Sequence, residues 1–105
     1  MNQSETKFFI GQIVHHKKFD YRGVIIDVDP VFMGTEEWYE EVARSRPPKD
    51  KPWYHVLVHN SIQQTYVAER HLEPDSLCEP IDHPLVHQLF SELREGVYVR
   101  KHNIN

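Results

Sequence analysis

The chain has 105 residues, 39% of them hydrophobic and 27% charged, with a formal net charge of −4. That length fits a single domain, 1–105, with one modest core, and the acidic balance argues against strong non-specific nucleic-acid binding, which needs clustered lysine and arginine. No apolar run approaches the roughly 20 residues of a membrane helix, no basic-then-apolar leader opens the chain, and the single cysteine, Cys78, rules out an internal disulfide and fits a reducing, cytoplasmic setting.

Residues 1–7 are polar and read as a flexible tail. FFIGQIVHHK (8–17) reads as a first strand with glycine at a bend, followed by a turn at 18–21. YRGVIIDVDP (21–30) carries the strongest strand pattern. Val24, Ile26 and Val28 share one face, Ile25, Asp27 and Asp29 the other, and Pro30 ends the run. TEEWYEEVARS (35–45) reads as a short helix, capped by Thr35, with Glu36 and Glu37 at its positive end and Trp38 and Val42 on one face. RPPKDKP (46–52) is a proline-rich, basic linker. WYHVLVH (53–59), a turn at 60–64 and TYVAE (65–69) form a hairpin. In its first strand Tyr54, Val56 and Val58 face one side, and His55, Leu57 and His59 the other. After an acidic, proline-rich loop (72–84), PLVHQLFSELREG (84–96) reads as a second helix. Pro84 sits in its first turn, Leu85, Leu89 and Leu93 form a stripe widened by Val86 and Phe90, and Gly96 stops it. GVYVRK (96–101) is a last strand and 102–105 a flexible tail. Together these elements describe a mainly β protein: a small, strongly bent, SH3-like β-barrel with two short helices, an architecture that binds more often than it catalyses.

The eight histidines raise a metal hypothesis that their spacing does not sustain. His55 and His59 point the same way from a strand but lie about 13 Å apart, and His15 and His16 point to opposite faces. His83 and His87 have helical spacing, but His83 precedes Pro84 and stands outside a regular helix. There is no cysteine pair and no HExxH, so no metal or other cofactor is expected. Asp27 and Asp29 lie about 6.6 Å apart on one strand face; paired carboxylates can do acid–base work, but a solvent-facing strand end is the plainer reading. Cys78 lies in an acidic loop, a poor setting for a nucleophilic thiolate. Nucleophile elbow, P-loop and dinucleotide fingerprint are all absent, so no enzyme is expected. Two basic clusters stand out: Lys17, Lys18 and Arg22 around Asp20, and Arg44, Arg46, Lys49 and Lys51 around Asp50. A chain with basic loops can approach DNA with one face despite an acidic total. Phe19, Tyr21, Trp38, Tyr39, Trp53 and Tyr54 border these clusters. Such aromatics anchor interfaces or stack on bases; for Trp38 and Trp53 core packing is the plainer reading.

Four stretches carry a resemblance: IGQIVHHKKFDYRGVIIDVDP (10–30), EEWYEEVARSRPPKDKPWYHVLVH (36–59), TYVAERHLEPD (65–75) and EPIDHPLVHQLF (79–90). In order, from about Lys7 to Lys101, they resemble the HspQ/YccV family of bacterial heat-shock and hemimethylated-DNA-binding proteins. The resemblance implies a cytoplasmic, self-associating protein, a dimer or trimer, with a small barrel-like fold. It also implies two activities. One is the binding of DNA methylated on one strand, linked to control of the replication initiator. The other is a part in stress proteolysis, promoting degradation of denatured proteins or tuning the Lon protease. It supplies no catalytic or metal residues.

The reading preferred from sequence is an adaptor or specificity factor for a Lon-type protease and its denatured clients, since an acidic chain meets no electrostatic obstacle there. Tyr21, Trp53, Tyr54, His55, Leu57 and His59 are its candidate contacts, with Arg100 and Lys101 opening a tail that a protease could grip. Ile25, Leu57 and Val99 are the apolar positions left for a subunit interface, which partial exposure in the monomer would reveal. The alternative is a DNA-binding module in which Lys17, Lys18, Arg22, Arg44, Arg46, Lys49 and Lys51 hold phosphates. There, one methyl read in the major groove is worth on the order of 1 kcal/mol. Stronger discrimination needs a closed pocket or two subunits.

Overall fold

The strongest strand signal forms the strand at the centre of the sheet. In the computed structural model, which describes residues 5–101, the elements in chain order are β1 (Ile13–His16), β2 (Tyr21–Asp29), α1 (Glu36–Val42), β3 (Trp53–Val58), β4 (Gln64–Ala68), a 3-10 turn (Glu69–His71), β5 (Leu72–Pro74), α2 (Val86–Leu89), β6 (Phe90–Arg94) and β7 (Val97–Arg100). The protein is mainly β. Five strands form one antiparallel sheet in the order β4-β3-β2-β1-β5, and β6 and β7 form a separate hairpin. Residues 1–4 and 102–105, read from sequence as parts of the tails, lie outside the described residues. Lys7, assigned to the first tail, donates its backbone N–H to Glu69, and Phe8 beside it is buried.

The sheet curls without closing. One cluster draws Val14, Ile25, Tyr54, Val56, Val67 and Leu72 from all five strands, with Phe8 added, so the sheet wraps around a single interior. Among the described residues, however, no ladder joins β4 to β5, and the closed SH3-like barrel read from sequence is not met. The chain leaves β4 through the 3-10 turn and pairs β5 with β1 instead. β5 is only three residues long and ends at Pro74, which has no N–H to extend a ladder. No helix among the described residues is long and apolar enough to cross a membrane.

The sheet's other face is also covered. Ile13, Val24 and Leu57 pack against Ile81, Val86, Phe90 and Tyr98, contributed by the 79–83 strap, α2 and the β6–β7 hairpin. WYHVLVH is apolar on both sides for this reason: Tyr54 and Val56 face the curl while Trp53 and Leu57 face outward layers. The partial exposure expected of Ile25 and Leu57 is absent, since both are wholly buried.

Two sequence assignments change. The pairing of β2 with β3 runs Ile25↔Val56 and then Asp27↔His55, leaving Ile26 as an extra residue. This bulge shifts the alternation by one: Val28 packs with Ile25 on the inner cluster, away from Val24 and Ile26. Asp27 and Asp29 therefore stand opposite His55 and Trp53. The second helix is four residues long, not thirteen. From Phe90 the chain becomes β6 and turns back through Glu95 and Gly96, whose φ values of 51° and 80° are those a primed two-residue hairpin turn requires. Gly96 ends a hairpin arm, not a helix, and Leu89, expected in an apolar stripe, is 40% exposed.

α1 forms where expected: Thr35 Oγ1 accepts from Trp38 N at 3.1 Å. Its buried residue is Tyr39, whose hydroxyl donates to Pro47 O at 2.6 Å, while Trp53 Nε1 donates to Pro48 O at 3.0 Å. These two bonds clasp the proline linker over a third cluster of Tyr39, Ala43, Trp53 and Ala68.

Gly11 joins the sheet to the hairpin. It donates to Ile25 O and accepts from Tyr98 N, at φ 94°, and a Cβ there would lie 2.2 Å from Tyr98 O. Gly11→Ala should therefore destabilise by about 3 kcal/mol or more in denaturant titration; an unchanged midpoint would show that the hairpin does not dock this closely. Leu57→Ala should cost about 2–5 kcal/mol as a core truncation, whereas a surface contact would leave stability nearly unchanged.

Candidate functional site

β4 is an edge strand, and a groove of about 830 Å³ runs along it. The end of β1, the start of β2, the loop between them and the 3-10 turn supply His16, Lys18, Phe19, Tyr21 and His71. α1 and the loop after it supply Trp38, Val42, Ala43, Arg44, Ser45 and Pro47. Trp53 and His55 from β3 complete the lining, with residues 63–68 of β4 and its approach.

The loop wall is held by two histidines on opposite sides of β1. His16 is buried, and its Nδ1 accepts from Lys18 N at 3.2 Å and Phe19 N at 3.0 Å. Its ring stacks on Phe19 (centroids 4.8 Å apart, planes 23° apart) and on His71 (5.5 Å, 11°), and lies 5.0 Å from Tyr21. Burial, reinforced by His71, pushes the His16 pKa down to about 4, which keeps the imidazole neutral and able to accept both loop N–H groups. His71 is also pushed down, by burial and then by Arg70. His15 behaves oppositely. It sits 2.7 Å from Asp20 and 2.8 Å from Glu73, and these hydrogen bonds raise its pKa. Asp20 itself takes φ 56°, which closes the loop.

The far wall is aromatic. Phe32, Trp38, Trp53 and Tyr66 form a cluster with centroids 4.9–6.0 Å apart, and His55 lies 4.6 Å from Tyr66. Tyr66 is fixed at its hydroxyl, which donates to Asp29 Oδ2 at 2.7 Å and accepts from Met33 N at 2.9 Å. Burial and the Asp29 hydrogen bond raise its pKa, so the phenol stays protonated. Asp27, Asp29 and His55 converge, with ligand atoms within 4.8 Å of one another, and are the group that could hold a cation. Their atoms already have partners: Asp29 accepts from Tyr66 and lies 3.2 Å from His55, and Asp27 accepts from Val28 N.

The seven basic candidates divide. Arg22 bonds Asp75 at 3.1 Å and Glu79 O at 2.6 Å, Arg46 pairs with Glu40, and Lys49 pairs with Glu36 above the Tyr39 ring. Lys17, Lys18, Arg44 and Lys51 are exposed and carry no ion pair among the described residues. Lys18 and Arg44 line the groove. Its lining thus holds two cations and three histidines and, among the described residues, no carboxylate, in a chain with 16 acidic residues.

Of the protein-contact candidates, Tyr21, Trp53 and His55 line the same groove, although Trp53 is only 1% exposed. Tyr54 is buried, donating to Glu69 at 2.6 Å and accepting from Phe8 N. Leu57 lies in the core, and His59 pins the strap by accepting from Asp82 N at 2.8 Å. Arg100 and Lys101 line a separate, smaller depression with Ile10, Ile26 and Leu89. His83 is buried, with Nε2 3.1 Å from Gln63 O and Nδ1 accepting from Leu85 N, a satisfied core histidine. Sequence reasoning missed His16, Tyr66 and His71 as site residues. Their signal is the stacking and edge position that only the fold creates.

The two loop histidines give opposite pH behaviour. His15, raised in the folded state, contributes stability that is complete below pH 6.5 and is lost as pH rises through its folded value. His16, lowered, contributes stability that is complete above pH 6.5 and is lost as pH falls toward about 4. A histidine NMR titration should place the His15 midpoint above 6.5 and the His16 midpoint below 5. A His16 midpoint near 6.5 would contradict its role as a buried acceptor.

One comparison with known proteins bears on the chain. A family model described as YccV-like, hemimethylated DNA-binding protein YccV like, matches residues 6–97. That span runs from just before the buried Phe8 to the first residue of β7 and includes every residue lining the groove. The chain belongs to the YccV-like family.

Proposed function

We propose that the protein is a DNA-binding module, not an enzyme, and that the groove along β4 is where it meets DNA methylated on one strand. The observation that carries this reading is the groove's composition: aromatic walls, Lys18 and Arg44 at its sides, and no carboxylate among the described lining residues. Phosphates repel carboxylates and bases stack on aromatic rings, so the lining matches nucleic acid while the rest of the acidic surface does not. The family's description points the same way. Lys17 and Lys51, outside the groove's lining, are two further exposed cations without an ion pair among the described residues. The reading needs no cofactor and fits a cytoplasmic protein, and association as a dimer or trimer would raise avidity for DNA.

A second reading, a stress adaptor that presents denatured proteins to a Lon-type protease, is favoured by β4 itself. QTYVA is an open edge with no charge and no proline, the usual guards against added strands. An extended client segment would find unpaired backbone there.

Fluorescence anisotropy with hemimethylated and unmethylated duplexes of one sequence, at several salt concentrations, tests the first reading. Lys18→Gln with Arg44→Gln should weaken binding at least about tenfold and flatten the salt slope by about two, roughly 0.9 per lost phosphate contact. Arg46→Gln with Lys49→Gln should change the slope little, because both groups are already paired with glutamates. Equal slopes for the two double variants would move the DNA contact away from the groove. If degradation of a denatured protein by the protease responds to the chain while DNA binding vanishes at physiological salt, the adaptor reading takes its place.

A further inference from the structure

The proposed DNA reading leaves a physical question about the methyl group. A methyl contacted on the wall of the open major groove is worth only about a fivefold preference, so a protein that tells hemimethylated from unmethylated duplex well needs either two subunits or an enclosure around the base that carries it. Resting on the DNA reading of the groove, we propose that the methylated nucleobase leaves the duplex and is taken into the groove along β4, where it stacks on Phe19.

Three observations support that occupant. First, the rings of His71, His16 and Phe19 form a stack of near-parallel planes, 5.5 Å and 4.8 Å between centroids, and its last ring is 67% exposed. Phe19 packs on His16 and is otherwise largely exposed, so a planar heterocycle can continue the stack. Second, the platform is built before anything binds. His16 accepts the backbone N–H groups of both Lys18 and Phe19, and His15 holds Asp20 on the loop's other side, so Phe19 is carried on a braced hairpin. Across the groove, Tyr66 is fixed by Asp29. Third, the chemistry of the opening matches a nucleotide. The Lys18 ammonium lies over the Phe19 ring, 5.7 Å from its centroid, so a base that stacks there displaces this exposed, flexible side chain toward the base's own phosphate, and Arg44 stands in the other wall. The exposed Gln64 side chain offers an amide donor and acceptor of the kind that reads a base edge. A groove of about 830 Å³ has room for one nucleotide.

Eversion breaks the base pair and unstacks the neighbours, so anything that weakens that pair in advance should tighten binding. The test uses the full chain and duplexes carrying one methylated base, prepared separately with N6-methyladenine and with 5-methylcytosine, with 2-aminopurine as the 3′ neighbour. On saturation with the preferred methylated duplex, 2-aminopurine emission should rise several-fold, and with the unmethylated duplex it should stay flat. Replacing the partner of the methylated base by an abasic site should tighten binding about tenfold or more. Phe19→Ala should abolish the emission rise and bring the methylated-to-unmethylated affinity ratio toward one, while Phe19→Trp, which keeps a ring, should retain both. Because Phe19 is largely exposed, its replacement should leave the melting temperature unchanged, which separates a lost platform from a lost fold. Preferential binding with flat emission and no abasic effect would overturn eversion and leave the DNA reading standing. Absence of binding to every duplex would overturn both.

Discussion

Every layer of this structure depends on β2 and β3 being covered on both faces at once. Ile25 and Val56 seal the interior of the curled sheet, while Val24 and Leu57 seal the layer beneath α2 and the β6–β7 hairpin. Each of these side chains is wholly buried, and each contributes about 1.5–3 kcal/mol by removal from water. A chain this short has little interior to draw on. Using both sides of two strands gives it two clusters where a one-faced sheet would give one. The bulge at Ile26 is the adjustment that makes this possible, because it turns Val28 inward and sets Asp29 beside His55 and Tyr66.

The groove follows from that arrangement. With the centre of the sheet saturated on both faces, the free surface lies at the edges. β5 is short and carries Glu73 and Pro74, while β4 is uncharged and flanked by two projecting structures. One is the β1–β2 loop, braced by a neutral histidine on one side and a histidine between two carboxylates on the other. The other is α1, whose Trp38 and Val42 look onto the groove while Tyr39 anchors it to the proline linker. The acidic residues go elsewhere, several of them spent on cations: Asp75 on Arg22, Glu40 on Arg46 and Glu36 on Lys49. What is left along β4 is aromatic, cationic and neutral.

Local signals were legible in the sequence. Period-2 alternation marks β2 and β3, and Thr35 followed by two glutamates marks the start of α1. Where the deciding partner is distant, the sequence misleads. PLVHQLFSELREG has helical spacing and good helix formers, yet from Phe90 it pairs with residues 97–100, and Gly96 serves the turn. Nonlocal pairing outweighs a local propensity of a few tenths of a kcal/mol per residue. The bulge is equally hidden, since a one-residue register change depends on β3 and leaves no mark in β2. The basic candidates show the same limit. Arg22 reads like Lys18 in sequence, but Asp75, 53 positions away, occupies it. His16 and His71 become a stack only because β5 pairs with β1.

The chain contains two tryptophans, and both line the groove. Trp53 is fixed by Pro48 and surrounded by Phe32, Trp38 and Tyr66, and Trp38 is half-buried at the same surface. The tryptophan emission of the molecule therefore originates in one neighbourhood. A ring that stacks there, or a cation that approaches Asp29, alters the signal directly, and a rearrangement of the β6–β7 hairpin reaches it only through the sheet. The protein thus carries its own optical reporter at the surface where recognition is expected, with no label to introduce and no background tryptophan to subtract.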